Sequence, residues 1–340
     1  MVAQFDSVYK KLPLKIKLRR LVSYFFFEGR PLTTKGRFIN KPLKLFYNLI
    51  AFISSDKTNC SVAYVLGTGR SGTTILGVSL SAHDEVGFLN EPKLPWYWSN
   101  SRDDIIGSYS AKPGKYSLTS IDVDSSIEQK ISKFYNFYSK VVDVEIVIDK
   151  YPEMIFRTDF LQKFKFDKKY IFLYRNGIDI VNSITKWSER KSTTNTENTE
   201  DWWGLNDQKW HLLCSDIVSK DPDLSKNINI IQNYKSHEFR AAVEWIVTMK
   251  KGLELSGAMG EQTYMPLKYE DFIEDSRSRQ AVLSFLGLKN SSTFENYCNN
   301  ALKASSRHES RMLALPAEIV NEFNDTQSKL GYDEYAKVKA

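Results

Sequence analysis

Gly67, Thr68, Gly69, Arg70, Ser71, Gly72, Thr73 and Thr74 run consecutively and carry the most chemistry in the chain. Glycines let a backbone approach an anion closely, and a helix starting just after them points its free N–H groups and positive dipole end at that anion. Ser71, Thr73 and Thr74 add hydroxyl donors. The chemistry is therefore the binding of phosphate or a group like it. A nucleotide-hydrolysing loop needs lysine directly after its last glycine. With Gly67 and Gly72 as the two glycines, Thr73 stands where that lysine must be, and the cation is Arg70, inside the loop. This substitution argues against ATP hydrolysis.

A second group lies further on. Residues 170–174 form an apolar and aromatic run followed by Arg175, and Ser183 comes eight residues later. An arginine fork gives bidentate, charge-assisted hydrogen bonds to an anion, and a helix start adds positive dipole. The plain alternative is a solvated arginine at a strand end. Asp149 mimics the strand-end, metal-binding aspartate of nucleotide hydrolases, with Lys150 beside it. His83 follows the loop helix, where an imidazole commonly meets the last carbonyls.

The run 70–74 (Arg-Ser-Gly-Thr-Thr) resembles the 5'-phosphosulfate loop of sulfotransferases that use 3'-phosphoadenosine 5'-phosphosulfate (PAPS). The likeness is nearest to the tyrosylprotein and carbohydrate branch, in which arginine replaces the lysine of the cytosolic enzymes. Arg175 and Ser183 resemble that family's 3'-phosphate site. Lys150, the stretches 268–271 and 285–288, and the stretch 330–333 are similar to further family segments, so the resemblance extends over residues 60–335. It implies a P-loop-like sulfotransferase fold with PAPS as sulfuryl donor and no metal. Gly69, Arg70, Ser71, Gly72, Thr73, Thr74, Arg175, Ser183 and Tyr269 would then surround the donor. Sulfuryl transfer, like phosphoryl transfer, is an in-line displacement helped by positioning and electrostatics, with a base for the incoming hydroxyl. On this resemblance Arg70 neutralises the leaving phosphate and the sulfonate, Lys150 assists it, and Glu91, 21 residues after Arg70, is the base. His83 is the rival base, since the cytosolic enzymes use histidine. A glycine-rich, lysine-bearing loop of those enzymes is missing near the C-terminus, where Ser305, Ser306 and Arg307 stand instead. The rival readings are a P-loop kinase and a catalytically silent adapter of the same fold, which would have lost Arg70, Arg175 or Ser183.

For the acceptor, a sugar hydroxyl is expected. Trp202, Trp203 and Trp210, mixed with Asp201, Asn206, Asp207 and Gln208, offer apolar faces for saccharide C–H groups and polar partners for hydroxyls. The segment 90–96, with Trp96, resembles the glutamate-proline segment of carbohydrate sulfotransferases. The competing view makes these tryptophans the core of a helical lid. A tyrosine, other phenolic or lipid hydroxyl is the alternative acceptor.

These residues need elements to hold them. The run 61–66, a glycine-rich turn and the helical register of 73–80 read as strand, turn, helix. Further β-rich runs at 144–148, 170–174 and 264–269 alternate with helical stretches, including 237–255, 276–286 and 316–330. Such alternation implies an α/β fold, a mostly parallel sheet flanked by helices. The polar run 192–200 reads as a loop, within an insertion at 187–235 that forms an acceptor lid. The sulfotransferase domain is placed at 59–340, after a basic helical arm at 1–58.

Composition fits: of 340 residues, 42% are hydrophobic and 26% charged, as in ordinary globular chains. Three scattered cysteines give neither a disulfide framework nor a zinc site and point to a reducing, cytoplasmic setting. The net charge of +6 is uneven: residues 1–60 carry +9 and the remainder −3. That arm suits an anionic lipid surface, giving peripheral membrane association, more than a nucleic-acid groove. The plain alternative is a basic helix pair packed on the body. The apolar run 45–53 is too short to span a bilayer, which takes roughly 20 residues, and the start lacks the order of a secretory signal. Nothing in the sequence sets the oligomeric state.

Overall fold

In the computed structural model, the described residues are 2–31, 34–55, 60–194, 198–302 and 313–339. Five strands carry the fold: β1 (Ser61–Gly67), β2 (Val86–Asn90), β3 (Ile146–Lys150), β4 (Lys168–Tyr174) and β5 (Tyr264–Lys268). They lie in the order β2-β3-β1-β4-β5, and every neighbouring pair is parallel. Alternate side chains explain why both faces need cover. Val62, Tyr64 and Leu66 of β1 enter one apolar cluster, while Ala63 and Val65 enter the other.

The covering helices used below are α1 (Leu14–Val22), α2 (Asn40–Ile53), α3 (Thr73–Leu80), α4 (Lys93–Ser99), α5 (Ser125–Val142), α6 (Gly177–Lys191), α7 (Gln208–Asp216) and α8 (His237–Ala258). Residues of α5, α6 and α8 fill the first cluster, and α3 with Ser276–Leu286 and Ser292–Ala301 fills the second. Several helix starts are side-chain capped, among them those of α5, where Asp124 accepts from Ile127 N, and α6, where Asn176 accepts from Ile178 N. The expected α/β sheet with helices on both faces is the observed one.

Register sets Asn90 beside Lys150 and Gly67 beside Leu173, so the turns after four strands open on one edge. From β1 the chain moves outward to β2 on one side, and β4 later takes the other side. Such a reversal leaves a crevice at the carboxyl ends of the strands, where ligands bind in open α/β sheets.

Two local expectations change. Residues 199–201 of the polar run form a strand, paired antiparallel with 193–194 and 204–205, because Glu200 and Asp201 register with Leu205 and Gly204. Nor is the N-terminal segment an arm. Phe27, Leu43, Tyr47 and Ile50 belong to the first apolar cluster, and Tyr9, Leu12 and Ile16 to the second. Arg19, Arg20 and Arg30 are buried rather than presented to solvent. Arg20 pairs with Glu28 at 2.5 Å and donates to Phe88 O at 3.1 Å, while Glu28 accepts from Asn90 N at 2.8 Å. β2 is an edge strand, and this buried pair satisfies two of its backbone groups, Phe88 O and Asn90 N, which would otherwise be open to another chain. The core therefore does not divide at residue 58.

Candidate active site

The loop after β1 is held in backbone conformations that suit close approach to a ligand. Gly67 has φ 143°, and a Cβ there would lie 2.4 Å from Leu173 O. Arg70 takes φ 71° and Gly72 φ 98°. Ser71 Oγ donates to Thr68 O at 2.7 Å, tying the turn, and the Thr68 hydroxyl is buried without a hydrogen-bond partner. Thr73 and Thr74 open α3. Left-handed backbone at a non-glycine residue costs on the order of 1–3 kcal/mol and gathers at functional sites. Among the described residues, two of the seven in this conformation are Arg70 and Glu91.

The second expected anion group meets the first. Arg70 Nε donates to Ser183 Oγ at 3.1 Å. Arg175, just past β4, bonds Asp179 at 2.8 Å and lies over the Tyr269 ring, 4.4 Å from its centroid. That ring in turn sits against Gly72, where a Cβ would be 2.3 Å away. Burial lowers the pKa of Arg70; the nearby cations Arg190 and Arg175 lower it further, while Glu91 opposes them. Like charges gathered this way stabilise a bound polyanion. Arg190 was not anticipated. Its signal is helical spacing: Ser183, Trp187 and Arg190 are at i, i+4 and i+7 on one face of α6.

Beside the loop runs a buried row of alternating charges. Glu91 follows β2 at φ 51° and its N–H bonds Lys150 O at 2.7 Å. Lys150 Nζ reaches Glu91 at 2.5 Å, and Lys93 stands 3.6 Å from the other carboxylate oxygen. Lys93 also approaches Glu153 at 3.5 Å, Lys209 approaches Glu153 at 3.6 Å, and Lys209 pairs with Glu244 at 2.7 Å. Only Glu91 reaches solvent appreciably, with 36% of its side chain exposed. Burial alone would raise the Glu91 pKa; Lys150 and Lys93 overcome it and hold the carboxyl at about 2. Glu91 is thus ionised at neutral pH, with basicity tied to how closely Lys150 stays. The Lys93 contact is the plain ion pair open to Glu91 from its near neighbour in sequence, whereas Glu153, Lys209 and Glu244 were not foreseen, because they come from three separate segments.

The row ends at the loop. Glu244 accepts from Trp202 Nε1 at 2.7 Å, Lys209 lies over the Trp202 ring, and the indole rests on Gly69, where a Cβ would be 2.5 Å from it. Trp187 packs edge-on against Trp202. The other expected cleft residues are elsewhere. Trp203 and Trp210 are fully buried and donate to His237 and Gln232 O. Asp201 caps Trp203 N, Asp207 clamps Arg240, Gln208 donates to Asp104 O, and Asn206 pairs with Asn198. They hold their own segment together, and of the three tryptophans only Trp202 faces the loop.

His83 is no base in this arrangement. Its Nδ1 accepts from Glu85 N and its Nε2 meets Lys289 O, so both nitrogens are engaged beyond the far end of α3. Asp149 faces the core, where it accepts from Tyr135 OH at 2.6 Å and Trp96 Nε1 at 3.0 Å. Burial pushes its pKa to about 7 against those donors. Trp96, expected near the acceptor, is buried with it. Ser305, Ser306 and Arg307 lie outside the described residues.

Residues 63–223, which carry the loop, Glu91, Lys150, Arg175, Ser183 and Trp202, match the sequence model of the sulfotransferase family. Over these residues the chain is similar to the sulfotransferase family. It is accordingly a transferase enzyme. Solved structures similar to this chain include the sulfotransferase domain of the Synechococcus olefin synthase, at 15% identity and TM-score 0.45, covering 82% of this chain and 98% of that one. A Mycobacterium tuberculosis sulfotransferase gives 14% identity and TM-score 0.44, with 85% and 88% covered. Mouse SULT7A1 complexed with PAP gives 13% and 0.35, with 74% and 68% covered. No curated protein sequence matches the chain significantly.

Proposed function

We propose that this sulfotransferase moves a sulfuryl group from PAPS to an acceptor hydroxyl. The observation that carries the reading is the hydrogen bond from Arg70 in the loop to Ser183 on α6, which makes one cationic surface of two anion sites distant in sequence. The donor fits these residues: the buried Thr68 hydroxyl has no partner, Gly67 permits close approach, and Arg70, Arg175 and Arg190 gather charge of the right sign. PAPS supplies the activated sulfuryl group and a phosphate leaving group. Gly69, Ser71, Gly72, Thr73 and Thr74 would hold its 5' end, Arg175 and Ser183 its 3'-phosphate, and Tyr269 the floor between them.

Glu91 orients the acceptor hydroxyl and takes up its proton. A carboxylate at pKa about 2 is a weak base. Any anion that draws Lys150 away from Glu91 raises that basicity, so donor binding and base activation are coupled. Lys150 thereby serves both partners. The proposed acceptor is a carbohydrate hydroxyl, supported by the Trp202 ring beside the loop rather than by three tryptophans.

The test compares adenosine 3',5'-bisphosphate with ATP and ADP by calorimetry. The bisphosphate should bind tightly, and Arg175→Ala should weaken it roughly 10- to 100-fold, as hydrogen bonds to charged groups of about 1.5–3 kcal/mol imply. Equal affinity for ATP would overturn the donor assignment. Transfer of labelled sulfate to oligosaccharides and to acidic tyrosine peptides tests the acceptor, and labelling of peptides alone would overturn that part.

A further inference from the structure

Helix α2 has two apolar faces, and the fold uses one. Leu43, Tyr47 and Ile50 are buried, whereas Leu45, Leu49, Phe52 and Ile53 point to solvent at i, i+4, i+7 and i+8. A helix on a globular surface ordinarily keeps a single apolar stripe. Phe52 is 86% exposed, and Phe38, just before the helix, is 81% exposed. The surface continues onto the preceding segment, since the exposed Phe26 packs against Phe46 of α2 with ring centroids 6.4 Å apart. Among the described residues, nine of the fifteen exposed large apolar side chains fall between residues 14 and 53.

The charge around this face is of one sign. Lys35, Arg37 and Lys41 are exposed at the start of α2. The acids that would offset them are turned inward: Glu28 is buried against Arg20, and Asp6 accepts from Tyr297 OH at 2.6 Å. No described acid in residues 2–55 is exposed. An apolar stripe bordered by cations suits anionic headgroups over acyl chains. A second copy would set Lys35, Arg37 and Lys41 against another positive patch across a self-complementary interface, which repels. Among the described residues no helix is long and apolar enough to cross a membrane, so the geometry available is that of a helix lying on the surface.

We propose that the outer face of α2, with Phe26 and Phe38, docks this protein on an anionic lipid bilayer. The helix lies in the interface plane, with Leu45, Leu49, Phe52 and Ile53 among the acyl chains and Lys35, Arg37 and Lys41 at headgroup level. This docking is independent of the sulfuryl donor and of the acceptor.

The experiment is flotation of the full chain with vesicles of phosphatidylglycerol and phosphatidylcholine, against phosphatidylcholine alone, at low and high salt. Binding should require the anionic lipid and weaken with salt. A basic residue at an anionic surface contributes about fivefold, so Lys35→Gln, Arg37→Gln and Lys41→Gln together should lower affinity about 100-fold. Leu45→Ser, Leu49→Ser and Phe52→Ser together should lower it at least about tenfold; because those side chains are exposed, the melting temperature should hold, and melting checks this. Absence of flotation, or flotation unchanged by the apolar variant, overturns the proposal. So does sedimentation showing a dimer that the apolar variant dissociates, which would make a second copy the occupant.

Discussion

Arg70 Nε bonds Ser183 Oγ at 3.1 Å across 113 residues of sequence, joining the turn after β1 to the middle of α6. The two anion-binding elements therefore respond together. A ligand that takes Arg70 must also replace its contact to Ser183, which a molecule carrying anionic groups at both ends can do.

Ser183→Ala should accordingly weaken adenosine 3',5'-bisphosphate by about tenfold, the lower end for a hydrogen bond to a charged group. Its effect on adenosine 5'-phosphosulfate, which lacks the 3'-phosphate, should be several-fold smaller. Calorimetry on both ligands reads the difference, and equal losses would place Ser183 outside the 3' site.

Glu91 sets a pH signature. Its folded pKa, at about 2, lies below the ordinary 4.5, so it contributes stability that is present above that value and lost as pH falls toward 2. Glu91→Gln should flatten the acid limb of the melting temperature between those values, while leaving Lys150 buried and unpaired at neutral pH. The same variant should lower turnover roughly 10²- to 10⁴-fold, as removal of a general base does. Wild-type turnover in Glu91→Gln would remove the residue from catalysis.

Gly69 and Trp202 form a steric pair. Gly69→Ala puts a Cβ 2.5 Å from the indole and should displace Trp202 from the loop. Trp202→Ala should remove that clash, so the double variant should lose less activity than the sum of the singles, with a coupling of about 0.5–3 kcal/mol expected for residues in contact. Additive losses in kcat/KM would show that Gly69 acts only through the backbone.

The Arg20–Glu28 pair should behave as part of the core. Glu28→Ala leaves Arg20 buried without its partner and strips a bond from Asn90 N, next to Glu91. Removal of one member of a buried pair costs about 3–5 kcal/mol, read as a drop in urea midpoint. A chain beginning after residue 55 should lose both apolar contributions of the segment and fold poorly. Unchanged stability in either would restore the picture of a detachable arm.

What the sequence by itself determined was local. The glycine spacing of 67–72, Thr73 in place of lysine, and an arginine closing an apolar run are statements about neighbouring dihedral angles and helix starts, so they survive without knowledge of the fold. The parallel sheet was equally legible, because strands buried on both faces show it in composition. Tertiary structure decided which distant residues meet. The jump from β1 over β3 to β2 brings Glu91 to Lys150, and α7 and α8 bring Lys209 and Glu244 to complete the row of charges. No short-range pattern encodes an ion pair between segments whose adjacency depends on strand order. Apolar composition has the same limit: Trp202, Trp203 and Trp210 look alike in sequence, since a core and a cleft both favour indole rings. Only packing put Trp203 and Trp210 inside and left Trp202 on the loop. The basic N-terminal segment follows this rule too, because Arg19 and Arg20 found backbone and carboxylate partners within the fold while Lys35, Arg37 and Lys41 did not enter it.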